Sequence, residues 1–302
     1  MLYTITFNPS IDYICYVNNF EAGTLNRTYK EMFYAGGKGI NVSRILHELD
    51  MPTKALGFIA GFVGKEIERL IHEKGIDSDF IEVKEGVSRI NVKLKSDKET
   101  EINGLGPIIT DDDVKMLYKK IEEMKSGDFL ILSGSIPHGI SQHVYSDLVS
   151  QFQDKDIEFV VDTTKEALMS VLKYHPFLIK PNHHELGELF NAKIEAKEEV
   201  IVYAKKLQEM GARNVLVSMA EKGAILLTED KKILEHKGIK GKVKNSVGAG
   251  DSMVAGFIAG YLKSHSYQEA LEMGVAAGSA TAFSEDLATK DEILLCLEKS
   301  SN

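Results

Sequence analysis

The segment Asn245-Ser246-Val247-Gly248-Ala249-Gly250-Asp251-Ser252 runs directly into a stretch of small and apolar residues from 253 to 260. A glycine-rich turn that opens a helix directs unpaired backbone N–H groups and the positive end of the helix dipole at one point, where an anion can bind. The carboxylate of Asp251 has two explanations, a capping acid in the first helical turn or a base held beside a phosphate. Other parts of the chain are needed to decide between them.

The composition limits the class of protein. A chain of 302 residues with 43% hydrophobic content can bury a large core and fits one big α/β domain or two modest ones. The net charge of −9 is spread over mixed-sign segments. It argues against general affinity for nucleic acid or for an acidic membrane surface.

Cys15 and Cys296 are the only cysteines, and they lie at opposite ends of the chain without metal-ligand spacing. They predict neither a disulfide framework nor a zinc site, so a reducing cytoplasm is the expected compartment. Because the chain has no basic start followed by an apolar run, and no 18 consecutive apolar residues, we expect neither export nor membrane insertion.

Short β-branched or apolar runs alternate with amphipathic stretches along most of the chain. The predicted strands are 3–7, 129–133, 158–162, 177–180 and 214–218, and the predicted helices are 40–49, 65–74, 111–125, 141–152 and 198–210. Thr110, followed by three aspartates, is a strong helix start. The alternation predicts an α/β fold with a mainly parallel sheet covered by helices on both sides. In such sheets ligands bind beyond the carboxyl ends of the strands.

Two regions, about 11–35 and 88–104, interrupt the alternation with extended stretches and no helix between them. They predict a small antiparallel β flap, formed discontinuously as an excursion from one core that spans 1–302. Such a flap is poorly stabilised alone, so a substrate or a second subunit is expected to cover it.

A second glycine-rich turn, from Ala35 to Val42, also leads into a helix. It serves either a tight turn alone or a close backbone approach to a polar ligand, with Lys38 and Asn41 as donors. His183-His184-Glu185 lacks the spacing of a zinc protease, and a solvated helix start is the expected role of both histidines.

Six motifs in order make nearly the whole chain resemble the ribokinase-like sugar kinases of the PfkB group. They are Asn8-Pro9-Ser10-Ile11-Asp12, the 36–41 turn Gly-Gly-Lys-Gly-Ile-Asn, Ser133-Gly134-Ser135-Ile136-Pro137, Lys180-Pro181-Asn182-His183-His184-Glu185, the 218–224 segment, and Val247-Gly248-Ala249-Gly250-Asp251-Ser252. The resemblance implies a three-layer α/β/α fold with a central mainly parallel sheet and a small β-sheet lid.

The segment Ser88-Arg89-Ile90-Asn91-Val92-Lys93-Leu94, with 101–104 after it, resembles the corresponding stretch of bacterial 1-phosphofructokinases and of tagatose-6-phosphate kinases. The resemblance implies transfer of a phosphoryl group from ATP to D-fructose 1-phosphate with Mg²⁺. Tagatose 6-phosphate is the alternative substrate.

Within this resemblance the chemistry belongs to the turn before the long apolar helix. Asp251 would be the base that takes the proton of the sugar's free primary hydroxyl, and the N–H groups of Gly248, Ala249 and Gly250 would cradle the transferred phosphate. The resemblance further implies a set of sugar-binding residues, with the cations for the existing phosphate: Asp12, Gly37, Lys38, Asn41, Arg89 and Arg27. An ordinary turn at Asp12 and a solvated charge at Arg27 are the open alternatives.

On the nucleotide side the resemblance implies that Lys180, Asn182, Ser218, Glu221, Gly223 and Gly250 bind ATP. Glu185 would act on Mg²⁺ through water, or alternatively serve only as a first-turn helix acid. The chain departs from the family pattern at Ala220, where relatives often have glycine, and at His138, where a second proline is common. Both departures put the local loop geometry in question.

Three further alternatives stay open. The chain could be a sugar- or nucleotide-binding regulator that has lost catalysis. It could also act on a nucleoside or an unphosphorylated sugar, which the two arginines of the flap disfavour. An exposed flap edge makes a homodimer through the β lid the expected assembly.

Overall fold

A computed structural model of the chain describes residues 1–134, 136–137 and 139–300. Ser135 and His138, which belong to one of the motifs above and to the segment after it, lie outside the described residues. The strands are β1 Leu2–Thr6, β2 Ser10–Val17, β3 Thr28–Gly36, β4 Thr53–Ile59, β5 Asp77–Ser78, β6 Ile81–Glu82, β7 Arg89–Lys95, β8 Thr100–Ile102, β9 Phe129–Ser133, β10 Glu158–Asp162, β11 Leu178–Ile179, β12 Asn214–Ser218, β13 Ala224–Leu227 and β14 Ile233–His236. The helices are α1 Lys38–Glu48, α2 Gly61–Glu73, α3 Asp111–Glu122, α4 Val144–Phe152, α5 Lys165–Val171, α6 His183–Leu189, α7 Lys197–Glu209, α8 Ala249–Ser264, α9 Tyr267–Phe283 and α10 Lys290–Ser300.

The large sheet has the strand order β14-β13-β12-β11-β10-β9-β1-β4-β5, with β6 also paired to β4. Pairing is parallel from β12 to β5, and β13 and β14 extend the sheet as an antiparallel edge. The predicted mainly parallel sheet is confirmed.

Alternate side chains of the central strands enter two separate cores. In β9, Leu130 and Leu132 pack on one face, where the core also includes residues of α3, α4, α5 and α7. Phe129 and Ile131 pack on the opposite face with residues of α1, α8, α9 and α10. Since both faces are buried, each strand is an almost continuous apolar run, and the three-layer α/β/α prediction is confirmed.

The small sheet has the order β3-β2-β7-β8, and we call it the lid. The β2–β3 and β7–β8 pairs are antiparallel, but β2 and β7 are parallel. The prediction of an antiparallel flap is therefore wrong for the central pair. Between β3 and β7 the chain passes through α1, β4 and α2, and a long crossover of this kind is what parallel pairing requires. That the lid is an excursion from a single domain stays a prediction.

The carboxyl ends of β1, β9, β10 and β12, and the residue after β11, bring a row of polar residues to one edge of the sheet. The row consists of Thr6, Ser133, Asp162, Lys180 and Ser218. This edge lies beside the start of the lid, because β2 begins only four residues after β1 ends. In the described ranges, no helix combines the length and the apolar character needed to cross a membrane.

Candidate active site

The two glycine turns place the starts of α1 and α8 side by side. Gly248 precedes α8 with φ +81°, and a Cβ on it would lie 2.5 Å from Cδ2 of Leu287. Gly37 precedes α1 with φ +126°, and a Cβ there would lie 2.6 Å from Cγ2 of Thr6. Both positions combine a left-handed backbone with a close neighbour, so only glycine fits them without strain.

Asp251 is buried at the point where these helices meet. It is 5% exposed, and its Oδ2 accepts a hydrogen bond from Nδ2 of Asn41 at 2.8 Å. Burial, and then the charge of Asp162, raise the pKa of Asp251 to about 6, against the opposing effect of Lys38, Asn41 and Lys180. At neutral pH the carboxylate is mostly ionised, yet it binds a proton more tightly than an exposed aspartate does.

Asp162 lies between two lysines at the sheet edge. Nζ of Lys180 is 3.3 Å from Oδ1 of Asp162, and Nζ of Lys38 is 3.7 Å from Oδ2. The charge of Asp162 raises the pKa of Lys38. A Cβ on Gly250 would lie 3.2 Å from Nζ of Lys180, so this ammonium group faces the α8 turn. The N–H groups of the turn and the partly exposed ammonium group of Lys38 are groups that can bind phosphate.

Asp12 lies on the lid and is held by three neighbours. Its Oδ1 accepts hydrogen bonds from Oγ of Ser10 at 2.8 Å and from Nδ2 of Asn91 at 3.0 Å, and its Oδ2 is 3.0 Å from Nζ of Lys93. The side chains of Asp12 and Lys93 are 17% and 12% exposed. A place for Lys93 in the site was not predicted from the sequence. The signal that could have found it is its spacing of two residues from Asn91, which places both side chains on one face of the strand.

The two predicted phosphate-binding arginines have different positions. The carbonyl oxygen of Asn8 accepts hydrogen bonds from Nε and Nη2 of Arg89 at 3.0 and 2.6 Å, and burial lowers the pKa of Arg89. Arg27 is exposed beyond the far end of the β2–β3 pair. Asp12 pairs with Tyr34, and seven residues of strand, about 20 Å, separate Tyr34 from Arg27. Within one chain, the structure therefore brings Arg89 to the site and leaves Arg27 away from it.

A cavity of about 630 Å³ opens on the other side of the α8 turn. Six predicted site residues line it: Asn182, Ser218, Glu221, Gly223, Ala249 and Gly250. Its apolar wall includes Met253, Val275 and Phe283. A polar mouth beside an apolar wall is the arrangement that a nucleotide needs, with phosphates at one end and a base at the other.

The Asn182 to Glu185 segment forms a capping box at the start of α6. Oδ1 of Asn182 accepts from the N–H groups of His184 and Glu185, while Oε2 of Glu185 accepts from the N–H of Asn182 at 2.8 Å. Glu185 therefore serves as a helix-capping acid, and only one of its two carboxylate oxygens takes part in the cap. Across the part of the chain that the structure describes, no three His, Cys, Asp or Glu side chains are grouped to hold a metal ion.

His183 begins α6, as expected, and its side chain is half-buried. It lines the cavity beside the α8 turn, and within the described residues its buried Nδ1 has no hydrogen-bond partner. Burial and the neighbouring His184 lower its pKa. Ala220, the departure noted in the sequence, has φ +51°, a left-handed conformation that explains why glycine is common there.

The fold and the two glycine turns define a sugar kinase site, and comparison with known proteins agrees. The profile of the pfkB family carbohydrate kinases matches residues 5–293. The chain belongs to this family.

The chain is 47% identical over 291 residues to the 1-phosphofructokinase of Bacillus subtilis, covering 96% of this chain and 95% of that protein. It is 38% identical over 288 residues to the D-tagatose-1-phosphate kinase of Bacillus licheniformis, covering 95% and 94%. The crystal structure of phosphofructokinase-2 from Escherichia coli in complex with substrates and products superposes with a TM-score of 0.94 at 27% identity, covering 100% of this chain and 99% of that one.

The α8 turn gives a first prediction. Gly248→Ala places a methyl group against Leu287 in a left-handed backbone, so the amide turn must shift. We expect ATP affinity, measured by calorimetry, to fall at least about tenfold, which is about 1.4 kcal/mol.

Gly127→Ala is the matched control. Gly127 has φ +80°, and a Cβ on it would meet nothing within 4 Å, so the same backbone strain falls on an open turn away from the site. It should lose stability by about 1 kcal/mol and keep its ATP affinity. Equal ATP affinity in both variants would show that the Gly248 turn does not bind the nucleotide.

Proposed function

We propose that this carbohydrate kinase transfers the terminal phosphoryl group of ATP to the free primary hydroxyl of D-fructose 1-phosphate, giving fructose 1,6-bisphosphate and ADP. The observation that carries the proposal is the position of Asp251. Its hydrogen-bond partner Asn41 lines a cleft under the lid together with Asp12, and its neighbour Gly250 lines the nucleotide-side cavity. One carboxylate thus lies where an alcohol and a phosphate would meet.

In the proposed reaction Asp251 accepts the proton of the C6 hydroxyl as that oxygen forms a bond to the γ-phosphorus. The bond from this phosphorus to the oxygen shared with the β-phosphate breaks, and its electron pair leaves with ADP. Charge on the transferred group is spread over its equatorial oxygens. The N–H groups of the α8 turn, with Lys38 and Lys180, would stabilise that charge.

On the sugar side, Asp12 would accept hydrogen bonds from sugar hydroxyls, with Gly37 and Asn41 beside it. Arg89 is the proposed ligand of the existing phosphate. Two of its nitrogens are bound to the Asn8 carbonyl, and its Nη1 makes no hydrogen bond within the described residues, so this group can still donate. Lys93 adds a second cation, which lines the cleft together with Asp12 and Asn41.

On the nucleotide side, Lys180, Asn182, Ser218, Glu221 and Gly223 would contact ATP, the co-substrate that the family implies. Mg²⁺ fits the site through water, because a glutamate oxygen is a hard donor and one oxygen of Glu185 is not used by the cap. When bound, Mg²⁺ neutralises charge on the phosphates. Phosphates and waters would supply most of its ligands.

D-Tagatose 1-phosphate is a second candidate substrate, supported by the similarity to a kinase of that name. It differs from fructose 1-phosphate only in configuration at C4, so the same attack by the C6 hydroxyl applies. Tagatose 6-phosphate, the alternative raised from the sequence, has no free hydroxyl at C6 and would have to react through its C1 hydroxyl instead. A regulator without catalysis is disfavoured, because the buried Asp251 and its bond to Asn41 are intact.

The assignment of Asp251 as the base gives the second prediction. Asp251→Asn should lower kcat by about 10²- to 10⁴-fold, since a placed base contributes a factor of that size. In the wild-type enzyme kcat/KM should fall about tenfold per pH unit below about 6, because protonation of Asp251 removes the base.

Stability provides the control for this variant. Because the pKa of Asp251 is raised on folding, its ionised form opposes folding above that pKa. Asp251→Asn should therefore melt no lower than wild type at pH 7.5, and any gain should vanish below about pH 4. A fully active Asp251→Asn enzyme would exclude the base role.

A substrate panel gives the third prediction. With ATP, turnover of fructose 1-phosphate should exceed that of tagatose 1-phosphate, fructose 6-phosphate, tagatose 6-phosphate and free fructose.

Arg89→Met should raise KM for the sugar phosphate far more than KM for ATP, because it removes a phosphate ligand.

Arg69→Met is the matched control, since Arg69 is exposed on α2 and, among the residues that the structure describes, is paired only with Glu66 and Glu73. It should change neither KM. A panel in which fructose 6-phosphate is preferred would overturn the substrate assignment, and equal effects of Arg89→Met on both KM values would overturn the phosphate role.

We further infer a homodimer through the lid and a place in the cytoplasm, where ATP and sugar phosphates are available. The lid exposes the apolar side chains of Leu25, Tyr29 and Phe33, which are 79%, 63% and 57% exposed. Phe33 stacks on Tyr13 at 4.8 Å, which makes a flat aromatic surface. A second copy would bury this surface and cover the lid edges. Activity found outside the cytoplasm on cell fractionation would contradict the location.

The assembly gives the fourth prediction. Wild-type protein should sediment as a dimer at micromolar concentration, and Phe33→Asp should shift it toward the monomer. Met116→Asp, at a residue 49% exposed on α3, is the control and should leave the dimer intact. A monomeric wild type would refute the lid interface.

A further inference from the structure

One buried carboxylate in the site has no part in the mechanism above. Asp162 is 3% exposed, and it stands at the end of β10 in the middle of the sheet. Its Oδ2 is buried, and within the described residues it has no hydrogen-bond partner. An unsatisfied buried carboxylate oxygen is costly, so its retention here calls for a physical reason.

The two lysines beside Asp162 are held unequally. Lys180 is nearer, at 3.3 Å, and its side chain is 6% exposed, so it is fixed. Lys38 is 3.7 Å away, beyond hydrogen-bond distance, and its side chain is 42% exposed. Asp162 therefore anchors Lys180 firmly and holds Lys38 only by charge, which leaves Lys38 free to reach a phosphate.

We propose that Asp162 is a positioning residue of this site, which holds Lys180 and Lys38 beside the α8 turn and, by its own negative charge, keeps Asp251 able to accept a proton. Without it, two ammonium groups would face Asp251 with no counter-charge. They would stabilise the ionised carboxylate and make it a weaker base. This inference rests on the proposed role of Asp251.

The groups that act on Asp251 come from each element around it. Lys38 and Asn41 approach from α1, Asp162 from β10 and Lys180 from the segment after β11. Glu185 of α6 acts on Lys38. Loss of Asp162 removes a negative charge that repels the ionised form of Asp251. It also removes the counter-charge of both lysines, so that they attract the Asp251 carboxylate more strongly. Both changes lower the pKa of Asp251.

The test is a ¹³C NMR titration of the aspartate carboxyl carbons, with Asp251→Asn used to assign the signal. Asp162→Asn should lower the titration midpoint of Asp251 by about one pH unit. Lys38→Met should raise it, because an attraction is lost. The acid limb of kcat/KM should move in the same directions, and Asp162→Asn should also lower the plateau of kcat.

Asp128→Asn is the matched control. Asp128 is also buried and pairs with the N-terminal amine, but it precedes β9 at the opposite edge of the sheet. It should destabilise the protein and leave the midpoint of Asp251 unchanged. If Asp162→Asn does not fold, Asp162→Asn/Lys180→Met removes both buried charges together. Its midpoint should still fall, since the effect of Asp162 on Asp251 is larger than that of Lys180.

An unchanged midpoint in a folded Asp162 variant overturns the proposal and leaves Asp162 a structural residue. The titration requires no turnover, so its result is separate from that of the substrate panel. An enzyme inactive on every sugar phosphate would refute the proposed function, while the titration would still decide what Asp162 does.

Discussion

The central constraint on the site is that the carboxylate of Asp251 is buried next to the α8 turn, where the transferred phosphate is proposed to bind. A buried negative charge is costly, and a second anion beside it raises the cost further. The structure meets this constraint with a balanced set of four charges, in which Asp251 and Asp162 face Lys38 and Lys180. Three of the four, Asp251, Asp162 and Lys180, are buried, whereas the side chain of Lys38 is partly exposed.

The sheet makes this balance possible by bringing distant segments to one edge. β10 ends at Asp162, and Lys180 follows the adjacent strand β11, so parallel pairing alone makes them neighbours. Lys38 arrives differently, as the first residue of α1 behind a glycine that permits close approach to β1. The same kind of turn starts α8, and the two helices present Asn41 and Asp251 to each other.

Strands and helix starts that are encoded by a short stretch of sequence could be predicted. β9, β10 and β12 match their predicted residues, because buried strands are unbroken apolar runs, and the capping box at Thr110 is present. The parallel pairing of β2 with β7 could not be read from either strand, because alternation looks the same in both orientations. For the same reason the ion pair of Lys93 with Asp12 could not be predicted, because it depends on which strand lies beside β7.

Asp162 marks the other limit of sequence reasoning. It is the last residue of the predicted strand 158–162, but its two lysine partners lie 18 and 124 residues away in the sequence. Glu185 differs from Asp162, because its partner Asn182 lies only three residues away. The same short motif forms a helix cap and holds the proposed metal-binding oxygen. Such overlaps are invisible until the hydrogen bonds of the segment are known.

The lid pair of Asp12 and Lys93 bears on how a ketohexose phosphate is selected. Ser10, Asn91 and Lys93 already occupy much of the Asp12 carboxylate and fix its orientation. A sugar hydroxyl that binds Asp12, as proposed, would then have to reach the remaining lone pairs from one direction. A site built on fixed, buried polar groups rejects a poorly placed hydroxyl strongly, because desolvated partners are left unpaired. An apolar pocket of the same shape would discriminate far less between epimers at C4. On the proposed roles, substrate choice would therefore depend on the rigidity of this carboxylate, and catalysis on the balance of charge around Asp251.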